Sequence, residues 1–294
     1  MNIIITGGSG FIGSNLIKKL LNSNQSIKIL SIDNYLTGSK DNEIDNNRVE
    51  YICDSTWNIN KSKKYTDFNP SLLYHFGEYS RISPSFEEPN MVMNNNLRGT
   101  FEVVEFCRNN NCKLIYSGST SIFGNNMKDQ HSSPYSWTKA KNIELIQNYK
   151  KWYNLDFIII YFSNVYGEGQ IETGKYSTVI GIFQRQYKNK EPLTVVKPGI
   201  QKRDFTHIDD TIDAIVLASQ KGRGDGFVIR TGIQYSIIEV AKMFSDNYVL
   251  IPEQRGNRTE SSGNMEKMAE LSWEPKNNLK DYVYNTCHNE KNFK

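Results

Sequence analysis

The chain has 294 residues, 38% of them hydrophobic, with 20 glycines, four cysteines and a formal net charge of +3 from 35 basic and 32 acidic side chains. That length supports a sizeable core and excludes a peptide or a disulfide scaffold, and the composition is that of a globular rather than a disordered chain. The charge is small and evenly spread, which argues against nucleic-acid binding by bulk electrostatics and for a small-molecule partner.

Short apolar runs alternate with longer helical patterns from the first residue, which predicts an α/β chain with a doubly wound parallel sheet. Strands are predicted at 2–6, 27–32, 49–53, 72–75, 113–117 and 157–162, and helices around 11–23, 92–109 and 136–153. In the last of these, Ile143 and Ile146 recur with Tyr149 or Tyr153 at helical spacing. After Gly167 the pattern changes to a glycine-bearing loop, a helix near 177–188, a strand at 193–196 and mixed short elements. Residues 1–167 therefore read as a nucleotide-binding core, and 168–294 as a smaller mixed α/β substrate-binding region whose elements can interleave with that core. Cys53, Cys107, Cys112 and Cys287 form no CxxC pair and have no nearby histidine cluster, so no metal site and no disulfide framework is expected. No apolar run reaches the roughly 18 residues of a membrane helix, and the N-terminus enters Ile3-Ile4-Ile5 without a basic region, so the expectation is a cytoplasmic protein with reduced thiols and no membrane partner.

The first strand runs into Thr6-Gly7-Gly8-Ser9-Gly10-Phe11-Ile12-Gly13, and a helix follows at once. Gly7 suits the tight turn, Gly10 lets backbone approach a pyrophosphate, and Gly13 lets helix and strand pack closely, while the helix N-terminus offers free N–H groups to phosphates. Asp33 ends the second strand 20 residues after Gly13, where a carboxylate accepts hydrogen bonds from an adenosine ribose and repels a 2′-phosphate. The combination predicts a Rossmann-type site for NAD rather than NADP.

Tyr135 and Lys139 stand at i and i+4, on one face of a helix, where an ammonium stabilises a phenolate and makes the tyrosine a usable base. Composition alone would supply up to about two such pairs, so position carries the weight. Tyr135 opens the helix that follows the fifth strand, and that strand ends in Ser117-Gly118-Ser119-Thr120-Ser121, at the carboxyl edge where open parallel sheets bind ligands.

These motifs, with Ile122-Phe123-Gly124, Asn164-Val165-Tyr166-Gly167 and Arg203-Asp204-Phe205-Thr206-His207-Ile208-Asp209-Asp210, resemble the extended short-chain dehydrogenase/reductase family in its nucleotide-sugar epimerase and dehydratase branch, in order and over roughly residues 1–275. The resemblance implies Ser119 as the catalytic hydroxyl, Tyr135 as acid/base and Lys139 as its electrostatic partner. It implies a cofactor site of Gly7, Gly10, Phe11, Ile12, Gly13, Asp33 and Asn34 at the ribose, Asp54 at the adenine edge, Phe76 and Gly77 at the turn after the fourth strand, Asn96 in support, and Phe162, Tyr135 and Lys139 near the nicotinamide. Asn164 and Arg203 would meet the diphosphate of a nucleotide sugar, the arginine as a multidentate cation. Dehydratases of the family carry Asp-Glu in the two positions after the catalytic hydroxyl, and decarboxylases a Glu at the second, whereas this chain has Thr120 and Ser121. Elimination lacks its extra acid and base, so the expectation is a 4-epimerase acting on a UDP-sugar, with other nucleotide-sugar modification as the alternative and a catalytically silent NAD sensor as a remoter one.

Arg255 and Ser261 resemble a second phosphate-binding arginine and a pocket-wall residue; a serine there leaves room for a 2-acetamido group. Five further expectations are structural. His75 reads as a packed histidine, and Asp209 and Asp210 as helix caps. Glu78 and Arg81 read either as mutual partners or as substrate contacts. Trp57 and Tyr65 read as covers of the sheet, and the helices at 92–109 and 136–153 as the faces of a homodimer, as the resemblance implies.

Overall fold

The computed structural model describes residues 1–123, 131–256 and 262–288. Its strands are β1 (Asn2–Thr6), β2 (Lys28–Asp33), β3 (Val49–Cys53), β4 (Leu72–His75), β5 (Lys113–Ser119), β6 (Phe157–Phe162), β7 (Asn164–Tyr166), β8 (Leu193–Val196), β9 (Lys202–His207), β10 (Gly224–Ile229), β11 (Gln234–Ser236) and β12 (Tyr248–Ile251). Its helices are α1 (Phe11–Ser23), α2 (Lys63–Asp67), α3 (Pro89–Val92), α4 (Gly99–Asn109), α5 (Pro134–Tyr153), α6 (Val179–Lys188), α7 (Ile208–Lys221), α8 (Ile237–Phe244), α9 (Glu266–Glu270) and α10 (Leu279–His288).

Seven parallel strands form the central sheet in the order β10-β6-β5-β4-β1-β2-β3, so chain progression reverses between β1 and β4. That reversal is the switch point at whose carboxyl edge a doubly wound sheet binds ligands. The middle strands are continuous runs of Ile, Leu and Tyr because both faces are covered by helices. On one face, Leu16, Ile17, Leu20 and Leu21 of α1 pack with Ile208, Ile212 and Ile215 of α7 over Ile3 and Ile5. On the other, Val103, Val104 and Phe106 of α4 and Ile143 and Ile146 of α5 cover Ile4, Leu73 and Leu114.

Elements from beyond residue 167 interleave with the core. α7 and β10 return to the first core, with Met268 and Trp273 sealing it. The remaining C-terminal elements build a third cluster around Tyr166, Phe183 and Val240, with the small sheets β11-β9-β7 and β12-β8.

β2 is shifted by one residue and α6 starts two residues later than expected, and three further boundaries differ for local reasons. β5 continues to Ser119 because Gly118 and Ser119 pair in register with Tyr161 and Phe162. The segment before α4 is a π-helical turn, Met93–Arg98, which brings both Asn95 and Asn96 inward. α5 starts at Pro134, with the Ser133 hydroxyl capping Ser136 N at 3.1 Å.

Candidate functional site

A cavity of about 550 Å³ runs along the carboxyl edge of the sheet, from the β1–α1 turn across β5 and β6 to β9, α8 and β12. Its volume is in the range of ligand clefts. At one end, Gly7 adopts φ +73, and a Cβ there would lie 2.7 Å from the Phe76 carbonyl carbon. A Cβ on Gly13 would lie 2.1 Å from Gly7 O. These two positions admit only hydrogen, which lets the turn and α1 close on the strand ends. Gly10 caps α1 through its backbone, with no side-chain cap and no acidic residue in the first turn. Ser14 N bonds back to Gly10 O at 3.0 Å, so the N–H groups of Phe11, Ile12 and Gly13 remain at the cavity with the positive end of the helix dipole.

Asp33 closes this end. Its two oxygens accept Ser9 N at 3.0 Å and Tyr35 N at 2.8 Å, and burial pushes its carboxyl up against those hydrogen bonds, which pull it down. Each oxygen keeps acceptor capacity for a diol. Asn34 bonds to Asn95 Oδ1 at 3.1 Å, so the π-helical turn holds the floor beside it. Phe76, Gly77 and Phe162 line the middle of the cavity.

Ser119, Tyr135 and Lys139 line the same cavity. Tyr135 is 8% exposed and stands in the first turn of α5, one helical turn before Lys139. Ser119 ends β5, its hydroxyl accepting Ser121 N at 3.2 Å. Lys139 is buried and donates to Ser117 O at 2.5 Å and to the Glu78 carboxylate. Thr120 and Ser121, the next two positions after Ser119, are both buried, and Thr120 Oγ1 donates to Phe162 O at 3.1 Å.

Toward the far end, Asn164 Nδ2 donates to Asp204 O at 2.9 Å and Arg203 Nη1 to Lys202 O at 2.8 Å, and both residues line the cavity. Asp204 carries this arrangement. Its buried carboxylate accepts from Arg230 Nε, Thr231 N and Gly232 N at 2.8–3.1 Å, tying β9 to the end of β10.

Several expected residues stand elsewhere. Asp54 is outside the cavity lining, and its carboxylate is engaged by Ser55 N, Asn58 Nδ2 and Tyr65 OH at 2.7–2.8 Å. Asn96 lies beneath the lining, where it accepts Tyr79 N at 2.7 Å and donates to Thr138 Oγ1 at 3.0 Å, joining the post-β4 turn to α5. The Arg255 guanidinium stacks over Phe86 at 4.5 Å, while its neighbours Gln254 and Gly256 line the cavity. Ser261 lies outside the described residues. Glu78 and Arg81 are not each other's partners, because Glu78 takes Lys139 and Arg81 Nε donates to Tyr176 O at 2.7 Å. His207, not Asp209, caps α7, and Asp210 accepts from Asn277 N and Nδ2 at 2.9 and 3.0 Å. His75 is packed as expected, between Thr6 and Thr100 hydroxyls at 2.7 and 2.9 Å. Tyr65 is buried in the sheet-covering cluster. Apart from Arg81, the wall formed by Ser80–Pro84 and 175–182 carried no sequence signal; its place in the fold reveals it.

Among the described residues there is no cluster of metal-ligating side chains, and no helix is long and apolar enough to cross a membrane. The four cysteines are free thiols.

Comparison with known proteins agrees with this fold. A Methanocaldococcus jannaschii protein provisionally named UDP-glucose 4-epimerase is 26% identical over 297 residues, covering 96% of this chain and 95% of its own. A dTDP-glucose 4,6-dehydratase of Haemophilus influenzae is 26% identical over 324 residues, covering 94% of this chain and 93% of its own. The crystal structure of UDP-glucose 4-epimerase with UDP-glucose from Thermotoga maritima superposes with a TM-score of 0.90 at 25% identity, over 100% of this chain and 98% of that one. The family model described as the NAD dependent epimerase/dehydratase family matches residues 3–229. The glycine cradle, the free α1 N-terminus and Asp33 fit the NAD that this family uses. The chain is a nucleotide-sugar enzyme of the NAD-dependent epimerase/dehydratase family.

Proposed function

We propose that the protein catalyses C4 epimerisation of a nucleotide sugar, a UDP-hexose or a UDP-N-acetylhexosamine. The observation that carries this reading is the chemistry around Ser119. The two following positions, where elimination would need an acid and a base, are the neutral Thr120 and Ser121, and both are buried. Glu78, a carboxylate of the cavity lining, is held by Lys139 and is not free to act on a sugar hydroxyl.

Bound NAD supplies reversible hydride acceptance from the sugar carbon. Phe11, Ile12 and Gly13 N–H groups hold its diphosphate in this reading, Asp33 its adenosine ribose, and Phe76, Gly77 and Phe162 flank the nicotinamide end. Ser119 donates a hydrogen bond to the sugar 4-oxygen. Tyr135 takes the 4-hydroxyl proton as a ketone forms and gives the proton back when the alcohol reforms, so no proton is gained or lost over the cycle. Lys139 stabilises the intervening phenolate. Asn164 and Arg203 meet the sugar-nucleotide diphosphate, and Arg203 supplies the planar cation that two phosphates favour. A homodimer formed through α4 and α5 is part of the proposal, supported by Phe101, Trp152 and Tyr153, which stand 44%, 61% and 53% exposed on these helices. The setting proposed is the cytoplasm, which supplies both dinucleotide and nucleotide sugar.

The test is incubation with UDP-, dTDP- and GDP-sugars and catalytic NAD, with separation of C4 epimers and Tyr135→Phe in parallel. Interconversion of a UDP-hexose or UDP-N-acetylhexosamine pair without net nicotinamide reduction, lowered about 10²- to 10⁴-fold in the variant, is the expected result. A 4-keto-6-deoxy product would refute the epimerase reading and show that elimination proceeds without a carboxylate at positions 120 and 121.

A further inference from the structure

Glu78 is an ionisable group of the cavity wall that the scheme above leaves without a task. Its side chain is 1% exposed and that of Lys139 is 4% exposed. Oε1 accepts from Asn142 Nδ2 at 2.9 Å, from Tyr116 OH at 3.0 Å and from Thr100 Oγ1 at 3.0 Å. Oε2 accepts from Lys139 Nζ and from Ser117 Oγ at 3.4 Å. The other Lys139 donors go to Ser117 O at 2.5 Å and Ser117 Oγ at 3.3 Å. The ion pair is thus satisfied on both sides and fixed from α4, β5 and α5, which is the condition under which a buried pair is tolerated.

An ammonium one helical turn from a phenol favours the phenolate, and a carboxylate in contact with that ammonium opposes the effect. A tyrosine that must return the proton it takes works best when neither form is strongly favoured. We infer that Glu78 is a positioning residue that pins Lys139 against β5 and tempers its charge, so that Tyr135 can both accept and return the substrate proton. The inference rests on the reading of Tyr135 as the acid/base of the reaction.

The other titratable groups facing this cluster keep their charge over the working range. His75 on β4 is pushed down to about 4 by burial and stays neutral. Burial pushes the Tyr116 phenol on β5 well up, and the Tyr79 phenol likewise. Arg81, which faces Tyr135 and Tyr79, is lowered from 12.5 by burial and remains a cation. None of them supplies a titration that could imitate the one at issue.

The experiment compares Glu78→Gln and Glu78→Ala with Glu78→Asp. Two readouts are used: the pH profile of kcat/KM, and a 295 nm tyrosinate titration of the substrate-free protein taken as a difference against Tyr135→Phe. Both charge-removing variants move the acid limb and the tyrosinate midpoint down by about one pH unit, and the Asp variant restores them toward the wild-type values. Unchanged limb and midpoint in the folded Gln or Ala variant overturn the inference and leave Glu78 a packing residue.

If neither charge-removing variant folds, Lys139→Met and the double variant Glu78→Ala/Lys139→Met decide, the second carrying no unpaired buried charge. The bare carboxylate places the tyrosinate midpoint higher in the single variant than in the double one, and equal midpoints overturn the inference. An active Tyr135→Phe enzyme, in contrast, refutes the underlying reading of Tyr135 whatever Glu78 does.

Discussion

His75 makes the fold sensitive to acid in a way that can be worked from the structure. Thr100 Oγ1 donates its one hydroxyl proton to Glu78, so toward His75 Nε2 it can only accept, which assigns the imidazole proton to Nε2. His75 Nδ1 then accepts from Thr6 Oγ1, which itself accepts Gly77 N at 3.1 Å. The ring is completely buried and neutral, and desolvation lowers it from the ordinary 6.5 to about 4, with the Glu78 charge pulling the other way.

Because the folded value lies below the unfolded one, the unfolded chain binds a proton under pH 6.5 that the native state refuses until about pH 4. Stability is therefore complete above the unfolded value and lost as pH falls through this window. At 1.36 kcal/mol per pH unit, moving from pH 7 to pH 5 costs about 2 kcal/mol from this residue alone.

The assay is urea unfolding at pH 7, 6 and 5 for the wild type and for His75→Gln, whose amide can accept from Thr6 and donate to Thr100 without titrating. The wild type loses about 2 kcal/mol more than the variant across that range. Parallel pH dependences for the two proteins would refute the argument, since every other titrating group is common to both.

Three other expectations follow from the cavity. Gly13→Ala drives a Cβ into Gly7 O, so NAD affinity measured by calorimetry collapses and the melting temperature falls, with an overpacking cost of about 1–3 kcal/mol. Asp33→Asn weakens NAD binding by about tenfold or more and narrows the preference over NADP, read as a ratio of dissociation constants; an unchanged ratio would remove Asp33 from the ribose. Arg203→Ala raises the KM for a UDP-sugar by about tenfold or more while kcat changes less, and a loss confined to kcat would count against a diphosphate contact.

What could be read directly from the chain was whatever chemistry is local. Gly7 to Gly13 are seven consecutive residues whose path depends on the missing side chains of their glycines, and the structure runs them from the end of β1 into the first turn of α1. Tyr135 and Lys139 share a helix face because 3.6 residues make a turn, so their spacing already implied their proximity. Asp33 ends β2 because alternating strand and helix patterns fix where a parallel strand stops. The strand pattern likewise anticipated six strands of the central sheet in chain order.

The tertiary structure alone decided the long-range pairings. Glu78 and Lys139 are 61 positions apart, and only the stacking of the post-β4 turn under α5 makes them one ion pair. Asp204 reaches Arg230 and the turn after β10 only because α7 and β10 return to complete the first sheet. Asp54 has the expected residue type in the expected place along the chain, yet its carboxylate is bonded to Asn58 and Tyr65, whose positions depend on the folding of the segment after β3. Periodicity and spacing describe what a segment can do with its own residues. Which distant segment shares its buried polar groups is settled by packing, where an unpaired carboxylate costs several kcal/mol and so must find its partner in the folded chain.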